Sequence, residues 1–169
     1  MYQEVSFKTE QVIYAHTRSD EADMEYKMHC HNSYEIYYMI TGNVEYLLEG
    51  RSYCPRPGSL LVIAPGCFHG LRVLDGNEYD RIRVHFTEDL LNGKERELLL
   101  KPLERDGAVL KSSSPLNGIF MQSKSAVLTG RSCRILQFAH GSCRFWRVFL
   151  QYTSEVRDAF MEQRDRPRR

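Results

Sequence analysis

The sequence predicts a mainly β protein, a jelly-roll sandwich or barrel followed by short helices. Two observations carry this. Seven or more short runs rich in aromatic and β-branched residues follow one another between Val5 and Phe86, and turn signals separate them at close spacing. The pattern then changes at Thr87, where a hydroxyl residue precedes Glu88 and Asp89, the composition of a helix start.

Taken in order, residues 2–17 alternate loosely (Val5, Phe7; Val12, Tyr14) and read as one or two strands or an arm. Residues 18–25 are charged and read as a loop. Strands are expected over Tyr34 to Ile40, Val44 to Leu48 and Arg51 to Cys54, parted by Thr41-Gly42-Asn43 and Glu49-Gly50. Pro55-Arg56-Pro57-Gly58 is a turn, because proline removes a ladder donor. Ser59 to Ala64 reads as a buried strand and His69 to Leu74 as another. Asp75-Gly76-Asn77 is expected to close a hairpin with a last strand, Glu78 to Phe86. In that strand Ile82, Val84 and Phe86 share one face and Arg81, Arg83 and His85 the other. Beyond it come a turn capped by the Thr87 hydroxyl and a second short helix over 95–103, so the β body is expected to end near residue 86.

Composition excludes several classes. The chain is 42% hydrophobic and 27% charged with a net charge of +1, so it carries no strong electrostatic address. Its five cysteines, Cys30, Cys54, Cys67, Cys133 and Cys143, form no CxxC pair and suit a reducing compartment. No signal peptide or membrane-length apolar run is seen, so a cytoplasmic protein is expected. P-loop, GxGxxG, GxSxG and helix-turn-helix patterns are absent. Charge reverses sign along the chain: 12 Lys/Arg stand against 18 Asp/Glu up to residue 110, and 11 against 4 beyond it.

The chemistry concentrates in His29-Cys30-His31-Asn32-Ser33-Tyr34-Glu35, with Gly42 seven residues on. On a strand, His29 and His31 project the same way, and Glu35 follows with the same parity. Downstream, Gly58, Ala64-Pro65-Gly66 and His69 return a third imidazole on a neighbouring strand. Two segments of this kind resemble the two signatures of the cupin family. His29, His31, Glu35 and Gly42 fit the first in every spacing. The second is matched by Gly58, Gly66 and His69, while Ala64 stands where a proline is usual and Val73 replaces an asparagine.

Within cupins, the wording from HCHNSYEIYYMITG to YDRIRVHF resembles the sensor domain of AraC/XylS-type transcription regulators, over about residues 5–103. That resemblance implies a cupin-like double-stranded β-helix over 1–103 that binds a small effector, often a sugar, and acts as a homodimer. It also implies a helix-turn-helix domain as the only route to DNA, and this chain carries none. Residues 104–169, with the linker Ser112-Ser113-Ser114-Pro115 and a basic end, are expected to be a helical or irregular appendage. They lack the family's helical hairpin, so a truncated or frame-shifted tail is the second explanation.

The resemblance makes His29, His31, Glu35 and His69 a candidate site for Zn²⁺, Ni²⁺, Fe²⁺ or Mn²⁺. Many sensors of this branch use the same positions without metal, so occupancy stays open at this stage. Inward parity from Glu35 and His69 makes Tyr37, Met39, Leu71 and Val73 the candidate effector-binding residues. His16 and His85 are expected to be structural, and Arg81 and Arg83 solvated, with an acidic effector as the alternative for the arginines. Sensing is the expected function. The rivals are a small stand-alone metal-dependent enzyme of dioxygenase or sugar isomerase type, and a structural or storage module with a vestigial pocket.

Overall fold

Alternating sequence builds two antiparallel sheets that share one interior. The computed structural model describes residues 2–8, 10–93, 96, 97, 100, 103 and 108–110. Among these, the strands are β1 (Gln3–Lys8), β2 (Val12–Ser19), β3 (Tyr34–Thr41), β4 (Val44–Leu48), β5 (Arg51–Tyr53), β6 (Leu60–Ile63), β7 (His69–Val73), β8 (Tyr79–Phe86) and β9 (Ala108–Leu110). The large sheet has the order β1-β2-β8-β3-β6-β9 and the small one β5-β4-β7. The fold is mainly β and of the jelly-roll kind, as the strand signals predicted.

The interior is made from alternate residues of both sheets. Tyr37 and Met39 of β3, Leu61 and Ile63 of β6 and Tyr79 of β8 meet Val44, Tyr46 and Leu48 of β4 and Val73 of β7 in one buried cluster. The opposite face of the large sheet is buried too: Ile36, Leu60, Ile82 and Val84 have no exposed surface. This is why β3 and β6 read as nearly continuous apolar runs while β4 alternates. Each large side chain so buried contributes about 1.5–3 kcal/mol.

The turns hold the two signature segments together. Gly58 donates its N–H to the carbonyl of Met39 at 2.7 Å, and Gly66 donates to His31 at 2.9 Å. Gly42 has φ +133°, and a Cβ there would stand 2.8 Å from a ring carbon of Tyr79 and 3.2 Å from its Cα. Only glycine lets the β3–β4 corner approach β8 this closely.

Four expectations are corrected. His29 and His31 do not lie in a strand: β3 begins at Tyr34, and His29 makes a single isolated bridge to His69. The bend at Asn32-Ser33 ends any ladder there. Asp75-Gly76-Asn77 is not a hairpin turn, because β7 and β8 belong to different sheets; the segment carries the chain from the small sheet to the large one along the surface. Thr87 has the extended backbone of a cap, yet its hydroxyl makes no capping hydrogen bond to the turn Glu88–Leu90. The β structure does not end near 86, since Ala108–Leu110 pairs with β6 at the edge of the large sheet. Helical hydrogen bonds join Arg96 to Asn92 and Leu100 to Arg96 in the expected second helix. The expectations for the tail from residue 111 onward lie outside the described residues.

Gly42→Ala is expected to lower unfolding free energy by about 2 kcal/mol, through positive-φ strain and displacement of Tyr79. Urea denaturation checks this, and a change within about 0.3 kcal/mol would contradict the close approach.

Candidate functional site

Glu35 is the second residue of β3, facing Ile63 of β6 on one side and His85 of β8 on the other. It is 2% exposed. His69 opens β7 across the interior and is completely buried. His29 is held opposite His69 by a reciprocal pair of backbone hydrogen bonds, each 2.9 Å. The backbone bond from Gly66 to His31 fixes the third imidazole. One ligand atom from each of His29, His31, Glu35 and His69 lies within 4.8 Å of the others.

The three rings are oriented alike. Nδ1 of His29 lies 2.9 Å from the Lys27 carbonyl, Nδ1 of His31 lies 2.8 Å from that of Ser33, and Nδ1 of His69 lies 2.9 Å from that of Cys67. A carbonyl only accepts, so each Nδ1–H donates to its carbonyl, and Nε2 is the ring nitrogen that each imidazole turns away from it. His31 Nε2 lies 3.0 Å from Glu35 Oε2. His69 Nε2 lies 3.4 Å away, buried and without a hydrogen bond.

Burial pushes the Glu35 carboxyl upward, but hydrogen bonding to His31 and the neighbouring imidazoles overcome it and hold the group well below the usual carboxylate range. The same hydrogen bond raises His31. Three aligned Nε2 atoms, one of them orphaned, beside a carboxylate kept ionised are a donor set that a first-row divalent ion would satisfy. The residues therefore fit a metal.

His85, expected to be structural, belongs to this cluster. Its Nε2 is 3.5 Å from Glu35 Oε2, and its ring stands edge-on to His31 at 4.6 Å. Burial lowers its pKa, which favours the neutral ring. Its shared parity with Arg81 and Arg83 was readable, but not the register that sets it opposite Glu35. His16 is satisfied elsewhere, 2.6 Å from buried Asp80.

A cavity of about 340 Å³ opens beside the cluster, and His29 and Glu35 form part of its lining. Of the predicted effector-binding residues, Tyr37, Leu71 and Val73 line it, while Met39 is buried in the adjoining core and does not. Tyr46, Tyr79, Arg81 and Arg83 also line it. The arginines are thus not on a solvated face, as expected from the sequence, but half-buried in the interior wall. The Tyr37 and Tyr79 hydroxyls lie 3.0 Å apart. Burial pushes Tyr79 up to about 12 and Tyr37 well above its ordinary value.

The family model described as AraC-like ligand binding domain matches residues 13–140. Among solved structures, the cupin domain of Cnp3 from Schizosaccharomyces pombe is similar at 13% identity and TM-score 0.47, over 56% of this chain and 66% of that one. A cupin protein from Bacteroides fragilis is similar at 16% identity and TM-score 0.47, over 54% and 81% of the two chains. A structure described as a putative mannose-6-phosphate isomerase from Ralstonia eutropha gives 16% identity and TM-score 0.45, over 52% and 85%. Among curated proteins no match is found.

Tyr79→Phe removes the partner of a buried Tyr37 hydroxyl and is expected to cost about 1–2 kcal/mol at neutral pH. Because the folded-state pKa of Tyr79 lies above its ordinary value of 10.0, its share of stability is complete below that pH and is lost as pH rises toward about 12. Urea midpoints followed from pH 7 into the alkaline range should fall less steeply in the variant; an unchanged alkaline limb would count against the burial of this phenol.

Proposed function

The chain belongs to the family of AraC-like ligand-binding domains, and from that membership we propose that it is a sensor whose small-molecule effector occupies the barrel cavity above a divalent metal. One observation carries the reading: the cavity reaches the His29–Glu35 cluster directly. A ligand in it meets imidazole and carboxylate at one end and tyrosine hydroxyls and apolar side chains along the walls. Such a mixed, aromatic lining suits a sugar-like molecule.

In this reading His29, His31, Glu35 and His69 hold the ion, which would supply Lewis acidity and a fixed positive charge at the cavity floor. The surrounding residues orient the ligand: Tyr37, Tyr46 and Tyr79 offer hydroxyls, and Leu71 and Val73 exclude water. Met39 backs the wall from the core. Occupancy would bias association with a second copy of the chain and, through an attached helix-turn-helix domain, binding to DNA. No helix among the described residues is long and apolar enough to cross a membrane, and a cytoplasmic setting agrees with the cysteine pattern.

A metal-dependent enzyme of dioxygenase or sugar isomerase type is the second reading. It is favoured by the same opening, because a ligand can approach the metal-holding atoms themselves.

Calorimetric titration of the metal-free, untagged protein with Zn²⁺, Ni²⁺, Mn²⁺ and anaerobic Fe²⁺ is expected to show one site, weakened at least tenfold in His69→Ala. A stoichiometry near zero for all four ions would overturn the metal. With the preferred ion bound, a series of neutral and acidic monosaccharides should raise Tm without being consumed. Turnover would favour the enzyme, and no shift with any of them would refute the sugar-like effector.

A further inference from the structure

The inward face of β8 carries two guanidinium groups, each with a buried N–H donor that has no hydrogen-bond partner. Arg83 stands opposite Tyr37 of β3 and Ala15 of β2, and Arg81 opposite Met39 and Thr17. Both line the cavity. The Arg81 guanidinium carbon sits 4.2 Å from the centre of the Tyr79 ring, which fixes its plane. Arg81 Nη1 and Arg83 Nε are buried and have no hydrogen-bond partner. The neighbouring acids have other partners: Glu35 the imidazoles, Glu45 Arg72 and Ser52, Asp23 Lys27, and Glu4, in one row with Thr17 and Arg81, the Tyr2 and Thr17 hydroxyls. Glu21 stands exposed in the cavity lining.

A buried guanidinium donor left unpaired is costly, and a planar fork of N–H groups matches the two oxygens of a carboxylate or phosphate. Two such donors on one strand face converge on a cavity that already holds the sensing site. We propose that the β8 wall is an oxyanion subsite, in which Arg81 and Arg83 bind an acidic group of the effector. This rests on the cavity being the effector site and narrows the effector to an anion whose polar remainder reaches toward His29 and Glu35.

The side-chain Nε–H resonances of Arg81 and Arg83 report directly on it. The full chain is titrated with matched pairs, benzoate against benzamide and glucuronate against glucose, with glucose 6-phosphate separating phosphate from carboxylate. Saturable shifts of the arginine signals are expected with an acid and not with its neutral twin. The affinity should fall at least tenfold in Arg83→Gln and in Arg81→Gln, two variants whose folding is checked separately by circular dichroism. Equal binding of a neutral twin, or acid binding that leaves the arginine signals unmoved, would overturn the subsite while the cavity reading stands. If neither series moves the Tyr37 and Tyr79 signals, the cavity reading falls with it.

Discussion

A single ionised carboxylate in the interior sets the terms for the rest of this molecule. Glu35 is all but removed from water, and an isolated charge in such a place would be neutralised or would unfold its surroundings. Imidazoles from several parts of the chain prevent this. His31 comes from the segment before β3, His69 from the small sheet, and His85 from β8. The charge therefore draws both sheets and a connecting segment onto one point. A divalent ion would serve the same end with fewer protons, since Nε2 atoms gathered around a carboxylate need positive charge between them, carried either by protons or by a metal.

The carboxylate and its imidazoles are placed by backbone, not by side-chain packing alone. The reciprocal bridge between His29 and His69 fixes two rings with the rigidity of a sheet although only one residue of each segment takes part. Asp23 makes a similar bridge to Val73 at the other end of β7. Between them the chain from 23 to 29 runs along the free edge of the small sheet, and Asp23, Lys27 and His29 line the cavity. Gly70 makes this possible: a Cβ there would lie 2.9 Å from the Lys27 carbonyl.

Much of this was legible in the sequence, for identifiable reasons. Strand positions followed from turn chemistry, because Gly42, Pro57-Gly58 and Pro65-Gly66 have few conformations open to them. The four candidate ligands followed from spacing. The misplacement of the arginines had an identifiable cause. Alternation gives parity but does not say which face is the inside. In β8 the apolar residues Ile82, Val84 and Phe86 suggested the core side, so Arg81 and Arg83 were assigned to solvent and His85 to a structural role. Both faces of the large sheet are in fact buried, and the polar face is the interior one because it borders a cavity. Tyr79, an apolar ring sharing parity with the arginines, was the one local hint. The joining of β9 to β6 had no signal at all, since three residues carry too little pattern.

The placement of polar groups inside and apolar groups outside on β8 bears on how binding could be felt beyond the barrel. A ligand shifts an equilibrium only through contacts that differ between two states. The cavity wall includes Tyr2, just before the edge strand β1, and Ser19 at the end of β2. Among the described residues β1 pairs only with β2 and is largely exposed, while β2 pairs with β8, which carries Arg81 and Arg83. A molecule held by the arginines would thus touch both an inner strand of the large sheet and the segment leading into its exposed edge strand. The physical route from cavity to outer surface is accordingly two strands wide, and it starts at the residues proposed to hold the ligand.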